Sequence, residues 1–581
     1  MPETILAKMS LREKIGQLLC VNIKGIKHNE SDPEYQNVVT AIRDHHIGCL
    51  ILFHGDIESA TLLLNSLQRM SRLPILVGSD IERGVGQILK GGTEFPTNMA
   101  FGATYSPALC EVQGGIVARE AKAVGIHVSY APVADVNSNP SNPIINTRSY
   151  GEDPQQVSAF VASYIKGIQQ AGVLATAKHF PGHGEAEADS HATLPVLNIT
   201  RDRFDRLEAI PFQSAIEAGV AQIMTAHIAF PGITNNPTLP ATLSRDILSN
   251  LLRSELSFEG LIVTDALNMA GVRQGQSESE ASILALEAGT DILLYPTDVP
   301  QVINAIYQAI ETGRLSEERI NRSVLKILSV KERLGLFDNR FTDLNSLSSN
   351  VNLDEHRKAS LTVARASITL VCDDKVFIPF HGNNLSHNDE QTDVYTAACQ
   401  SDNILPLSTD SPYQILVFDE DSTESPGDQF LQELSSRNNR LEQALIINPK
   451  NIDSLTGDLT KLSPDNPPVI AVFSKIVSWK ERSGLSQTML DSINTLLKKH
   501  SDTIVISFGS PYIYNELLYP KTFICTYSHC KSSQIACAEA LFGEIPISGI
   551  PPVSLKNHAL LSPTDTRELK RRQQNRPSSQ G

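Results

Sequence analysis

Apolar residues in the first part of the chain fall into short dense runs, separated by stretches in which they recur with helical spacing. That alternation is the signature of parallel strands buried on both faces by helices. Eight runs read as strands: GQLLCVNI (16–23), GCLILF (48–53), PILVGSD (74–80), VSYAPVAD (128–135), VLATAKHF (173–180), AQIMTAHI (221–228), GLIVTDA (260–266) and DILLYP (291–296). Between them, SATLLLNSLQRM, LCEVQGGIVAREAKAVG and PQQVSAFVASYIKGIQQ read as helices, the last two with glycine at or near the stop. Eight strands alternating with helices predict a (β/α)8, TIM-like barrel over 1–337, whose active site forms at the C-terminal ends of the strands. Those ends carry Asp80, Asp135, Lys178, His179, His227 and Asp265.

The pattern changes after the last of these runs. SEERINRSVLKILSVKERLGLF (316–337) reads as one long helix, and DNRFTDLNSLSSN opens a polar linker over 338–354. Six further β-rich runs, ASITLVCD, YQILVFDED, QALIINPK, PPVIAVFS, TIVISFGS and TFICTYSH, alternate with helical stretches and predict a smaller α/β sandwich domain over 355–560. The segment 561–581, with Lys570, Arg571 and Arg572, has no apolar periodicity and is expected to be disordered.

Composition narrows the function. The chain has 581 residues, 41% hydrophobic and 20% charged, with a formal charge of -16, so its surface field disfavours nucleic acid and anionic lipid and suits a small neutral or modestly charged substrate. No apolar run approaches the roughly 20 residues of a membrane span, and the opening MPETILAKMSLREKIGQLL lacks a secretory pattern, so a cytoplasmic location is expected. The eight cysteines form no C-x-x-C pair and several lie in apolar runs, which favours buried free thiols over a disulfide framework.

The densest polar cluster is KHFPGHGEAEADSH (178–191), running from the end of the fifth strand into a loop. In an extended segment Asp189 and His191 point to the same side, so the carboxylate can orient the imidazole and support its protonated form for acid/base work near neutral pH. Asp265 ends the seventh strand, where a carboxylate either caps the following helix or serves as a nucleophile; position alone does not decide. Lys178, His179, Asp80 and Arg148 are candidates for binding sugar hydroxyls. His179, His183, Asp189, His191 and His227 together suggest a zinc set, but they lack a compact ligand spacing and Lys178 would repel the cation, so no metal is expected. With no phosphate-binding glycine loop, no nucleotide cofactor is expected either.

These strings resemble family 3 glycoside hydrolases through most of the chain. KHFPGHGEAEADSH is similar to the family's K-H-F-P-G-x-G signature in the branch with an added D-S-H. APVADVNSNP, NPIINTRSYGEDP, VTDALNM, SVLKILSVKERLGLF and SFGSPY resemble further family segments in the same order. The resemblance implies a retaining mechanism with Asp265 as nucleophile, and the D-S-H branch implies a β-N-acetylglucosaminidase with His191 as acid/base and Asp189 as its partner. Asp80, Arg148, Lys178 and His179 match positions that hold the terminal sugar. The implied substrate is a saccharide or muropeptide with terminal β-linked N-acetylglucosamine, in the manner of a peptidoglycan-recycling enzyme. The alternatives are a β-glucosidase or β-xylosidase of the same family, a phosphorolytic variant, and a catalytically silent sugar-binding protein. Two segments depart from the family pattern: DIERGVGQI, where D-Q-E-G-G-R-V-x-R is frequent, keeps Asp80 and Glu82 but displaces the arginine to Arg83, and GIPPVSL replaces G-R-L-P-V-x-L.

Overall fold

The computed structural model describes residues 1–273, 275–373, 414–422, 426–437, 444–454, 468–476, 484–500, 502–518 and 520–556. The segment 561–581, expected to be disordered, lies outside the described residues, as does Cys399. The strands of the first half are β1 (Leu19–Gly25), β2 (Cys49–Asp56), β3 (Leu76–Ser79), β4 (Leu89–Lys90), β5 (Val128–Ser129), β6 (Leu174–Phe180), β7 (Gln222–Thr225), β8 (Leu261–Val263) and β9 (Leu293–Leu294). All pair in parallel, in the order β8-β7-β6-β5-β3-β2-β1-β9, and a bridge from Val263 to Ile292 joins the two ends. The result is the expected eight-stranded barrel. Strand β4, which the sequence pattern did not predict, is two residues long and adds to the end of β2 outside the ring.

Several strands are shorter than their apolar runs. In the run 128–135 the regular ladder stops after Ser129, because Pro132 brings no N–H. Irregular pairing with β6 continues, Thr176 N–H donating to Ala131 O at 2.8 Å, Lys178 N–H to Pro132 O at 3.2 Å and Ala134 N–H to Lys178 O at 2.6 Å. The run 260–266 leaves the ladder after Val263; Thr264 still donates to Ile292 O, and the backbone then carries Asp265 into the mouth. The helix expected over 316–337 spans Glu317–Arg333. Ser316 caps its start by accepting from Arg319 N–H, and Gly335, at φ 70, lies in the left-handed region just past its end.

The second sheet contains β10 (Thr369–Asp373), β11 (Ile415–Asp419), β12 (Leu445–Ile447), β13 (Val469–Phe473), β14 (Ile504–Ser507) and β15 (Thr522–Cys525), in the order β10-β15-β14-β13-β11-β12. It is parallel except for β10 against β15. Helices such as Asp428–Arg437, Gln487–Lys499 and Lys531–Leu541 cover it. The six apolar runs of the second half each yield one of these strands.

The two halves share a core. Met99, Ala100 and Ala103, on the helix Asn98–Thr104 of the barrel chain, are buried among Val505, Phe523 and Tyr527 of the second sheet. The GIPPVSL segment returns to the barrel: Ile550 N–H donates to Ala103 O, Glu152 N–H to Pro552 O, and Ser554 Oγ to Glu152 at 2.5 Å. Gly151, at φ 154, accommodates that contact, because a Cβ there would meet Pro552 O at 2.6 Å. The departure from the family pattern thus sits in a clamp between the domains. Cys20, Cys49, Cys110, Cys525, Cys530 and Cys537 are buried thiols, and Cys372 is a half-buried thiol that donates to Pro520 O at 3.1 Å. Among the described residues no helix is long and apolar enough to cross a membrane.

Candidate active site

A cavity of about 520 Å³ opens at the C-terminal ends of the barrel strands, and residues of the second sheet close its far side. Asp80, Arg148, Lys178, His179, His191 and Asp265 all line it; Asp189 stands behind His191 and reaches the cavity through that ring. Six of the seven residues singled out from the sequence therefore share one space.

The floor is an ion-paired network. Lys178, at the end of β6 and 2% exposed, places Nζ 2.7 Å from Asp80 Oδ1 and 2.7 Å from Glu82 Oε1. Arg148 binds Glu82 with both arms of its fork, Nη2 to Oε1 at 2.8 Å and Nε to Oε2 at 3.1 Å. Burial works to raise the Glu82 pKa, but the charges of Arg148 and Lys178 overcome it and hold the carboxyl well below its usual range. Burial likewise works to lower that of Lys178, and Asp80 and Glu82 reverse it and keep the ammonium charged. Four side chains, from the segment after β3, the short helix Asn146–Arg148 and strand β6, are locked before any ligand arrives. The DIERGVGQI loop thus keeps its place at the cavity, with Glu82 in this network and Arg83 turned to Glu94 at 3.0 Å.

Two histidines are each oriented by a carboxylate. His179 Nδ1 lies 2.7 Å from Asp135 Oδ2, and Asp135 Oδ1 accepts the backbone N–H of His183 at 2.7 Å. With Nδ1 engaged, Nε2 is the nitrogen that His179 offers the cavity. His191 Nδ1 lies 2.6 Å from Asp189 Oδ1, which also accepts the His191 backbone N–H at 2.9 Å, so the pairing expected from the D-x-H spacing forms within one turn of loop. His183 Nε2 meets Ser190 Oγ at 2.9 Å and ties this loop to the end of β6. Burial, reinforced by the neighbouring His179, lowers the His183 pKa to about 4 and keeps the ring neutral.

Asp265 sits among three imidazoles. Burial alone would raise its pKa, but His179, His227 and His191 and the Ala266 N–H, donated at 2.7 Å, bring it down to about 2. The carboxylate is ionised across the neutral range. His227 is fully buried beneath it, with Nε2 3.1 Å from Ala266 O and Nδ1 2.8 Å from Thr242 Oγ1, so it holds the loop that carries Asp265 rather than facing the cavity. The histidines weighed as a metal set each hold a different partner through at least one ring nitrogen, and among the described residues no group of three or more His, Cys, Asp or Glu is arranged to hold an ion. An ionised carboxylate and a carboxylate-oriented imidazole lining one small cavity are equipped for displacement at an acetal carbon with proton delivery to the departing oxygen.

Sequence reading missed the wall supplied by the second sheet: Ser474 and Lys475 after β13, Gly509 after β14, and Tyr527 and His529 after β15. The rule that parallel sheets bind ligands at the carboxyl ends of their strands would have pointed to these turns. Phe53, His54 and Tyr295, also lining the cavity, carried no comparable signal.

Barrel, second domain and mouth define a carbohydrate-active enzyme, and comparison with known proteins gives the same answer. The family described as "Glycosyl hydrolase family 3 N terminal domain" matches residues 10–330. A Cellulomonas fimi protein named beta-N-acetylglucosaminidase/beta-glucosidase is 29% identical, covering 95% of this chain and 94% of its own. The structure of a family 3 beta-N-acetylglucosaminidase from Paenibacillus sp. str. FPU-7 superposes with a TM-score of 0.80 at 29% identity, over 94% of this chain and 99% of that one. A beta-glucoside phosphorylase, BglX, bound to 2FGlc, gives a TM-score of 0.81 at 25% identity, over 95% of this chain and 96% of that one. The chain belongs to glycosyl hydrolase family 3.

Proposed function

We propose that this chain is a retaining exo-β-N-acetylglucosaminidase in which Asp265 is the nucleophile and His191, oriented by Asp189, is the general acid and base. The observation that carries the reading is the shared cavity: Asp265, ionised, and His191, 2.6 Å from Asp189 through Nδ1, face one space floored by a pre-paired cluster. In the first half-reaction an Asp265 oxygen forms a bond to the anomeric carbon while the bond to the aglycone oxygen breaks, and His191 Nε2–H protonates that oxygen. In the second, neutral His191 takes a proton from water as the water oxygen bonds to the anomeric carbon, and the electron pair of the ester bond returns to Asp265. Asp189 fixes the tautomer throughout and compensates the imidazolium. Asp80, Arg148, Lys178 and His179 bind hydroxyls of the terminal sugar.

The names of the Cellulomonas and Paenibacillus relatives support the amino sugar as substrate. Fragments of peptidoglycan, handled in the cytoplasm, are the natural source we propose, with 1–337 as the catalytic domain, 338–354 as linker and 355–560 as the second domain. The Cellulomonas name also favours a second reading, action on β-glucosides, which a substrate panel with and without the 2-acetamido group separates.

The decisive experiment is Asp265→Asn assayed on 4-nitrophenyl N-acetyl-β-glucosaminide. Loss of the nucleophile should lower kcat by about 10³-fold or more, with an unchanged melting temperature. Activity within tenfold of wild type would remove the assignment.

A further inference from the structure

The far wall of the cavity differs from its floor. Ser474, 4% exposed, has a buried Oγ with no hydrogen-bond partner among the described residues. Beside it, half-buried Lys475 spends its backbone N–H on Asp421 Oδ2 at 2.7 Å. Neither its ammonium nor the half-buried ring of His529 has a hydrogen-bond or ion-pair partner among the described residues. Arg83, paired on one side with Glu94, faces the same space from the barrel. Burial pushes the His529 ring well below the ordinary imidazole pKa, and the Arg83 and Lys475 charges push it further, so this corner sets a neutral imidazole beside the Glu94-paired Arg83 and a lysine ammonium with no ion-pair partner among the described residues. It stands inside a molecule whose formal charge is -16, so the patch is not a property of the surface at large. Donors without acceptors, half-buried and facing a cavity, leave the energetic gain of pairing to an incoming group.

We propose that Ser474, Lys475 and His529 of the second domain, with Arg83 across the cavity, form an oxyanion subsite for a carboxylate or phosphate group on the aglycone side of the cleaved bond. The location rests on the functional reading above. On that reading Asp80, Arg148, Lys178 and His179 hold the terminal sugar, so the second-sheet residues that line the same cavity are left to meet what is attached to it or what replaces it. One source of the oxyanion is an acidic group on the leaving portion of the substrate. The other is free phosphate acting as acceptor: a phosphate oxygen bonds to the anomeric carbon as the ester bond to Asp265 breaks, the electron pair returns to the carboxylate, and the product is a sugar 1-phosphate.

The test compares 4-nitrophenyl N-acetyl-β-glucosaminide with its 3-carboxy-4-nitrophenyl analogue, in wild type, Lys475→Met and Lys475→Arg, with and without inorganic phosphate. If the oxyanion belongs to the leaving portion, the acidic-to-neutral ratio of kcat/KM should fall about tenfold or more in Lys475→Met and be largely restored in Lys475→Arg. If it is free phosphate, wild type should form sugar 1-phosphate in phosphate buffer, Lys475→Met should lose that product, and the ratio should not move. Unchanged ratio and unchanged product in a folded Lys475→Met overturn the proposal; His529→Gln supplies the same readings should Lys475→Met fail to fold. A wild type inert toward both glycosides would remove the functional reading instead. The subsite is then decided by calorimetric titration with phosphate: heat seen in wild type and lost in Lys475→Met supports it, and no heat in wild type overturns it.

Discussion

Two histidine–carboxylate pairs flank Asp265, and they are built differently. Asp135 is 1% exposed and gathers the His179 ring together with the backbone N–H groups of His179 and His183, so the ring is continuous with β6 and the barrel wall. Asp189 and His191 lie on the loop that follows, and the His191 side chain keeps 25% of its surface exposed against 7% for His179. The hydrogen-bond lengths, 2.7 and 2.6 Å, are nearly the same. The pairing itself therefore does not distinguish the two. What distinguishes them is stiffness and access: a ring fixed in a buried cradle presents one nitrogen at one place, which suits binding, whereas a ring on an accessible loop can exchange its proton with water, which a two-step hydrolysis requires.

The sharpest way to break that comparison is to delete each ring and vary the leaving group. His191→Ala should lower kcat/KM by about 10² to 10⁴-fold, equivalent to roughly 3 to 5 kcal/mol, for an alkyl or sugar aglycone that needs protonation. A nitrophenyl or dinitrophenyl aglycone, which leaves unaided, should suffer far less in the first half-reaction. His179→Ala should lower both substrate classes by the same factor, since a binding contact to the terminal sugar is indifferent to the aglycone. Parallel leaving-group dependence in the two variants would erase the proposed division of labour.

That division was only half visible in the sequence. Asp189 and His191 are two residues apart, and the local geometry of an extended segment was enough to pair them. Asp265 could be placed at a strand end because the apolar run before it marked the strand. The partners of His179 and Lys178 were not legible, because Asp135 comes from the run beside β6 and Asp80 and Glu82 from the segment after β3, and only the pairing of β3, β5 and β6 brings them together. The barrel strands were readable because parallel strands buried on both faces are nearly all apolar; β4 was not, because two residues carry no periodicity. The far wall was least legible. Ser474, Lys475 and His529 join the site only because Met99, Ala100 and Ala103 seat the second sheet over the mouth and Pro552 clamps it there, contacts between residues remote in sequence.

Stability offers a second, smaller contrast. Asp135→Asn replaces one acceptor oxygen with an amide that faces N–H donors, so one buried hydrogen bond is lost and another donor is left unpaired. The cost should be about 3 kcal/mol. Asp189→Asn, beside a ring in partial contact with water, should cost about 1 kcal/mol or less. Chemical denaturation of the two variants measures the difference. Equal losses would show that the loop pair is as integral to the fold as the strand pair.

His183 joins the two pairs, and its titration gives the finest probe of the connection. Its backbone N–H is held by Asp135, and its Nε2 meets Ser190, the residue between Asp189 and His191. The folded ring has a pKa of about 4, set by burial and then by His179, whereas an unfolded histidine titrates near 6.5. Between those values the unfolded chain binds a proton that the folded chain does not, so this residue makes the protein less stable as pH falls from about 6.5 toward 4. The loss should be on the order of 1 to 2 kcal/mol, allowing for relaxation around a buried ring. His183→Gln should flatten that part of the stability curve measured between pH 7 and 4, while leaving Ser190 a polar neighbour. If the slope persists in the variant, the proton uptake belongs to another group, and the tie between the strand pair and the loop pair is not the neutral ring of His183.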